Sequence, residues 1–291
     1  KNKGQLPDFY ITKRKKLYLF RVIGRIICFC VGTVLILLEI FNVFNFNFQA
    51  TLNGLGFFDF TKLSPIHIVW LLLAHYMIVD LFFSKLRHPG SAKHFGRVYI
   101  KKEYDKEELK KTRKFYNKGA WYTALSFLAL NIAIGAIVYL VDLKGWLPGD
   151  AVGFLGWGNH TGGNKPGLIL LIFQLFYFAS DFICVMFFCP FQSWMMKNRC
   201  CRTCRIFNWG AIMIEVPMIM HILLYGPSFY SVSLVLLGLV VFLKWEITLM
   251  VHPERFFQMS NDYLNCKNCG DPFCSIKPKV KSKYRNENKI L

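Results

Sequence analysis

Residues 119–141 read GAWYTALSFLALNIAIGAIVYLV, and from Gly119 to Val141 no side chain carries a charge. A helix rises 1.5 Å per residue, so ~20 mainly apolar residues cross the hydrocarbon core of a bilayer. This stretch is long enough, and it makes the chain an all-α membrane protein. Five more segments, at 17–42, 65–84, 168–189, 207–226 and 229–251, meet the same requirement. The first is compromised by Arg21, Arg25 and Glu39. The fifth is short and contains Glu215 and Pro217. Gly226-Pro227-Ser228 predicts a tight turn into the sixth.

The composition of the 291 residues agrees. Hydrophobic residues make up 54% of the chain and charged ones 18%, against roughly 25% charged in soluble domains. Yet the formal charge is +19. The cations sort by loop. Thirty of the 36 Lys and Arg lie in 1–16, 85–118, 190–206 and 252–291, whereas 43–64, 143–166 and 226–228 hold only Lys62, Lys144 and Lys165. The positive-inside rule then puts both termini in the cytoplasm. No cleavable signal peptide is expected, because no small-residue cleavage site follows the first apolar run. Basic loops of this kind attract anionic lipid headgroups. Nucleic acid is the disfavoured partner, because the aromatics sit in the spans rather than among the basic tracts. Tyr104–Tyr116 is expected to form an interfacial helix leading into the third span. The expected organisation is a basic N-terminus (1–16), a six-helix domain (17–251), a Cys motif at 252–275 pairing with 189–205, and a basic tail (276–291).

The even spans end alike. Asp80 precedes His88-Pro89, Asp181 precedes Cys189-Pro190, and Glu246 precedes His252-Pro253. The entries Arg113-Lys-Phe-Tyr-Asn117 and Arg205-Ile-Phe-Asn208 also rhyme. Three hairpins of one ancestral kind would produce this pattern, and so would the habit of Pro to end helices. Carboxylates in a membrane are expensive and turn inward toward a partner. Asp80, Asp181 and Glu246 would therefore lie near Arg21 and Arg25, one helical turn apart on span one. They would form either an ion-pair network or a polar site open to the cytoplasm, rimmed by His88 and His252.

Of the ten cysteines, Cys28, Cys30 and Cys184 fall within spans. The remaining seven lie on the cytoplasmic side, where thiols stay reduced and a disulfide framework is not expected. Cys201-Arg-Thr-Cys204 and Cys266-Lys-Asn-Cys269 have a gap that lets both sulfurs bind one ion. Together they make a tetrahedral Cys₄ set, zinc by default, clamping the two ends of the third hairpin. Cys189, Cys200 and Cys274 are alternates, and the surplus of thiols also suits iron or an iron–sulfur cluster. His75, His221 and His67 are candidate haem ligands, each with the alternative of a plain interhelical hydrogen bond.

Cys204-Arg-Ile-Phe-Asn-Trp209, His252-Pro-Glu-Arg-Phe256 and Cys266-x-x-Cys269 resemble motifs of an uncharacterised family of bacterial multi-pass membrane proteins. The resemblance covers residues 189–274 and implies a bacterial cytoplasmic membrane, with no activity to transfer. Membrane palmitoyltransferases also have a cytoplasmic Cys-rich loop, but their Asp-His-His-Cys motif is absent here. Nucleotide-binding glycine loops, serine-hydrolase elbows and His-Glu-x-x-His are absent too. The expected function is that of an accessory or scaffold subunit of a membrane complex, clamped by zinc. A redox carrier with iron–sulfur or haem is one alternative. A transporter or lipid-modifying enzyme using the inner-leaflet carboxylates is the other.

Overall fold

A computed structural model describes residues 8–52, 55–61, 63–82, 99–144, 165–186, 191, 195–196 and 204–265. Every regular element among them is helical, the nearest approach to a sheet being one isolated bridge between Lys101 and Asn261. The helices are α1 (Asp8–Ile40), α2 (Phe48–Leu52), α3 (Ile66–Phe82), α4 (Lys106–Leu143), α5 (Lys165–Met186), α6 (Gly210–Tyr225) and α7 (Phe229–Val251). Four of them contain stretches long and apolar enough to cross a membrane: Leu19–Ile40, Lys106–Leu143, Gly167–Cys184 and Phe229–Val251. The other two apolar helices, α3 and α6, have 17 and 16 residues.

One expected boundary disappears. The interfacial helix and the third span form one continuous α4 of 38 residues. Gly119 does not break it, because its backbone is held in the middle of a helix-favouring run. Asp105 caps its start by accepting a hydrogen bond from Glu107 N–H at 2.9 Å, with Glu107 and Glu108 in the positive first turn. The expected sixth span, 229–251, forms the helix α7, and the turn before it is built as its sequence predicts. Gly226 takes φ 92°, a left-handed value that favours glycine, and Ser228 and Ser231 close a capping box.

Side-chain packing orders the bundle as α1, α5, α6, α7, α3, with α4 lying against α5 and α6. α6 and α7 pack as a hairpin. Among the described residues, α1 packs along α5 rather than α3, and α3 packs along α7, so the first hairpin of the proposed repeat has exchanged partners. Burial follows this order. Half of the apolar stretch of α5 is buried, but only 17% of that in α1 and 22% of that in α4. Their outer faces show Phe20, Ile27 and Val31, and Trp121, Leu125 and Ile132, to the surroundings. Exposed apolar area on this scale belongs against hydrocarbon or another protein. The shared core is filled by Ile36, Leu73, Leu175, Met218 and Leu234 from five helices.

The connection between α1 and α3 is held by α1 itself. Glu39, one residue before the end of α1, is 5% exposed. Its carboxylate accepts hydrogen bonds from the backbone N–H groups of Phe46 (2.9 Å), Phe48 (3.1 Å) and Gln49 (3.1 Å). Glu39 therefore supplies the missing acceptors for the start of α2 instead of weakening a span.

Candidate functional site

The sequence points to three carboxylates, and the structure distributes them. Asp181 on α5 meets Arg25 on α1 at 3.1 Å and accepts a hydrogen bond from Tyr76 Oη on α3 at 2.9 Å. The Arg25 guanidinium lies over the rings of Phe178 (4.2 Å), Tyr76 (4.6 Å) and Phe182 (4.8 Å), and donates to the Phe178 carbonyl. The pair is mostly buried, and a planar cation among aromatic faces is the arrangement that arginine tolerates best out of water. Arg21, one turn earlier, is half-buried.

Glu246 belongs to a different cluster. Its carboxylate pairs with Arg205 and accepts from Trp209 Nε1 at 2.8 Å. Both partners come from the 3-10 turn Arg205–Asn208 and the residue after it, so Glu246 ties the entry of α6 to the last turns of α7. Asp80 is fully buried in α3. Nearby, Lys244 of α7 donates to the carbonyl of Leu81, a cation at a helix C-terminus. His252 is partly exposed and pairs with Glu254 at 3.3 Å. His88 lies outside the described residues.

The metal expectation rests mostly on residues outside the described set, namely Cys201, Cys266 and Cys269 with Cys189, Cys200 and Cys274. Among the described residues no group of three His, Cys, Asp or Glu converges as a ligand set. Cys204 is described and buried. Its Sγ stands 3.7 Å from Met196 Sδ, in a cluster with Ala120, Ile206 and Trp209. The stem leading to Cys266 packs nearby. Phe256 and Phe257 form a second cluster, and Tyr116 of α4 touches both, its ring 5.9 Å from Phe257.

The histidines divide as well. His67 caps α3 as the third residue after Ser64. Its Nδ1 is 3.3 Å from the Ser64 N–H, and its Nε2 lies 2.9 Å from the Phe57 carbonyl. Both ring nitrogens are thereby engaged. His75 is exposed on α3 and His221 is fully buried in α6.

Sequence reasoning missed the most buried polar group. Tyr230 Oη donates to Gln174 Oε1 at 2.7 Å, which turns the amide so that Gln174 Nε2 donates to Glu215 Oε2 at 2.6 Å. All three side chains are fully buried, on α7, α5 and α6. Glu215 Oε1, both ring nitrogens of His221 and Tyr225 Oη have no hydrogen-bond partner among the described residues. The available signal is Gln174 and Glu215, two polar residues inside mostly apolar helices.

These groups share one seam. Gly167, Gln174 and Asp181 follow one another at seven-residue steps along α5, which keeps them on one face. A Cβ on Gly167 would stand 3.2 Å from His221 Nε2 and 3.3 Å from Tyr225 Cδ2. Gln174 bonds Glu215. A Cβ on Gly210 would stand 3.2 Å from Asp181 Oδ1. At that last end, Asp181, Ser180, Tyr177 and Cys184 of α5 help to line a cavity of about 80 Å³ shared with Cys204 and Gly210. The chain matches no known protein family, no curated protein and no solved structure.

Proposed function

We propose that this is a six-span membrane protein of the bacterial cytoplasmic membrane, with both termini inside, that serves as an accessory or scaffold subunit. A Cys₄ zinc clamp on its basic face would join Cys201 and Cys204 to Cys266 and Cys269. The observation that carries the non-catalytic reading is the closure of the carboxylates. Asp181 and Glu246 are each engaged by an arginine and an aromatic donor from other elements. Such pairs hold helices in register and keep Asp181 and Glu246 engaged rather than poised for substrate.

Contacts at the helix ends support alternating passes. Arg25, Tyr76, Asp181 and Gly210 gather at one end, where the basic loops begin. At the other end Lys165 of α5 reaches the Ile40 carbonyl of α1, and Trp70 of α3 donates to Ser233 of α7 at 2.9 Å. Residues that flank the 16- and 17-residue helices would complete their crossings. Tyr116, in contact with both cysteine stems, supports the clamp. The basic face would sit on anionic headgroups, and the apolar outer faces of α1 and α4 are available to lipid or to other subunits.

Elemental analysis of the purified protein, with its visible spectrum, tests this reading. About one zinc per chain without colour is expected. Iron with visible absorbance would replace it with an electron-transfer component carrying iron–sulfur or haem. A protein with neither metal would refute the clamp.

A further inference from the structure

We infer that the seam between α5 and α6 is a proton pathway, with Glu215 and His221 as its inner stations. The reading does not rest on the scaffold role or on the metal. It starts from an anomaly. Buried polar atoms are almost always hydrogen-bonded, and those that are not call for a physical explanation. Here four such atoms, Glu215 Oε1, His221 Nδ1 and Nε2, and Tyr225 Oη, belong to one sixteen-residue helix. Each of these side chains can bind and release a proton. Unpartnered oxygens and imidazole nitrogens of this kind are where ordered water sits.

The stations are also in line. Asp181, Glu215 and His221 all face the α5–α6 interface, opposite Gly210, Gln174 and Gly167 respectively. Seven residues of helix rise about 10 Å, which sets the spacing of successive stations along the seam. The cavity of about 80 Å³ beside Asp181, mostly apolar in its walls, reaches Met213 and Ile214, the residues just before Glu215. At the far end Tyr225 lies close enough to Asp142 and Tyr139 of α4 to interact electrostatically. Asp142 is buried in the last turn of α4, at the opposite end of the seam. The other groups facing the seam are Arg25 and Cys28 of α1 and Tyr230 of α7. Arg25 is held by Asp181, which keeps its charge away from Glu215. Pro217 lacks the N–H that would bond the carbonyl four residues earlier, within the same stretch of α6 as Glu215.

Each transfer conserves protons. Glu215 Oε1 accepts a proton from hydronium on the cavity side, leaving water, and then releases that proton toward His221. His221 takes that proton on one ring nitrogen and releases another from its second nitrogen toward Tyr225 and Asp142. No net charge stays on the protein, and no redox partner is needed. Gln174 and Tyr230 are positioning residues that hold Oε2 so that Oε1 points along the seam. Buried ionisable groups in membrane helices are the usual elements of such relays.

The test is proton flux into liposomes that hold the purified full-length chain and an internal pH-sensitive dye, driven by a potassium diffusion potential. Wild-type protein should acidify the lumen faster than protein-free liposomes. Glu215→Gln and His221→Phe should each lose the excess flux, and Glu215→Asp should keep part of it. A wild-type rate equal to that of empty liposomes overturns the inference. So does wild-type flux in Glu215→Gln. If Glu215→Gln fails to elute as a monodisperse species, His221→Phe decides, since it retains ring volume and removes only an unpartnered polar group. Wild-type flux in that variant removes His221, and with it the pathway.

Discussion

The guanidinium of Arg25 stands 3.1 Å from the carboxylate of Asp181, 156 residues later in the chain, and the two lock α1 to α5 where no loop connects them. Tyr76 joins from α3, so one carboxylate registers three helices. Removing one partner of such a pair leaves a buried charge without compensation, whereas removing both leaves none. Arg25→Met is expected to destabilise the bundle by about 3 kcal/mol, and Arg25→Met with Asp181→Leu by much less. Unfolding of detergent-solubilised protein measures both. A double variant as unstable as the single one would contradict the pairing.

Glu39 makes three charge-assisted hydrogen bonds to backbone N–H groups in a connection that is otherwise short of acceptors. Glu39→Ala should cost about 2 kcal/mol by leaving those donors unsatisfied. The amides of Phe46, Phe48 and Gln49 should also exchange faster with deuterium while the α5 amides keep their protection. Glu39→Gln keeps one acceptor oxygen and should lie between.

The α6–α7 hairpin depends on Gly238. A Cβ there would stand 3.3 Å from Glu215 Cγ and 3.4 Å from the Ala211 carbonyl oxygen, which is backbone and cannot move aside. Close approach at small residues is what membrane helices use to pack. Gly238→Val should push the helices apart and cost about 2 kcal/mol. Gly24, with nothing within 4 Å, is the control: Gly24→Ala should be neutral or slightly stabilising.

The Arg205–Glu246–Trp209 cluster predicts a local effect. Trp209→Phe keeps the ring and loses one hydrogen bond to Glu246, at an expected cost of about 1 kcal/mol. Arg205→Ala leaves Glu246 without its cation and should cost more, about 3 kcal/mol. Equal effects would mean that the ion pair contributes nothing beyond the indole.

For the proposed clamp, Cys201→Ser with Cys266→Ser is expected to abolish zinc binding, read by elemental analysis. Metal content unchanged in that double variant would mean that other thiols hold the metal. Cys204→Ala tests packing as well, since its Sγ is buried against Met196. A variant that loses metal while α4 and α6 keep their amide protection separates the two roles.

That residues 119–141 and 229–251 form helices long and apolar enough to cross a membrane was legible because that capacity is a local requirement. Apolar length accumulates residue by residue, and each carboxylate interrupts it wherever the helix later docks. The turn at Gly226 and the caps at Asp105 and Ser228 are equally local, written within four residues. Partners are not. Arg25 finds Asp181 and not Asp80 because of how α1 is rotated and which helix it packs on, and nothing within either span states that. The same holds for Glu39, which looked like a defect in a span until the chain beyond it folded back, and for Glu215, which looked like a cost until Gln174 arrived from α5. Local composition alone sets which segments are apolar and which are basic. Which polar groups meet is set by packing, because a hydrogen bond acts over about 3 Å and pairs such as Gln174–Glu215 and Arg25–Asp181 lie 41 and 156 positions apart.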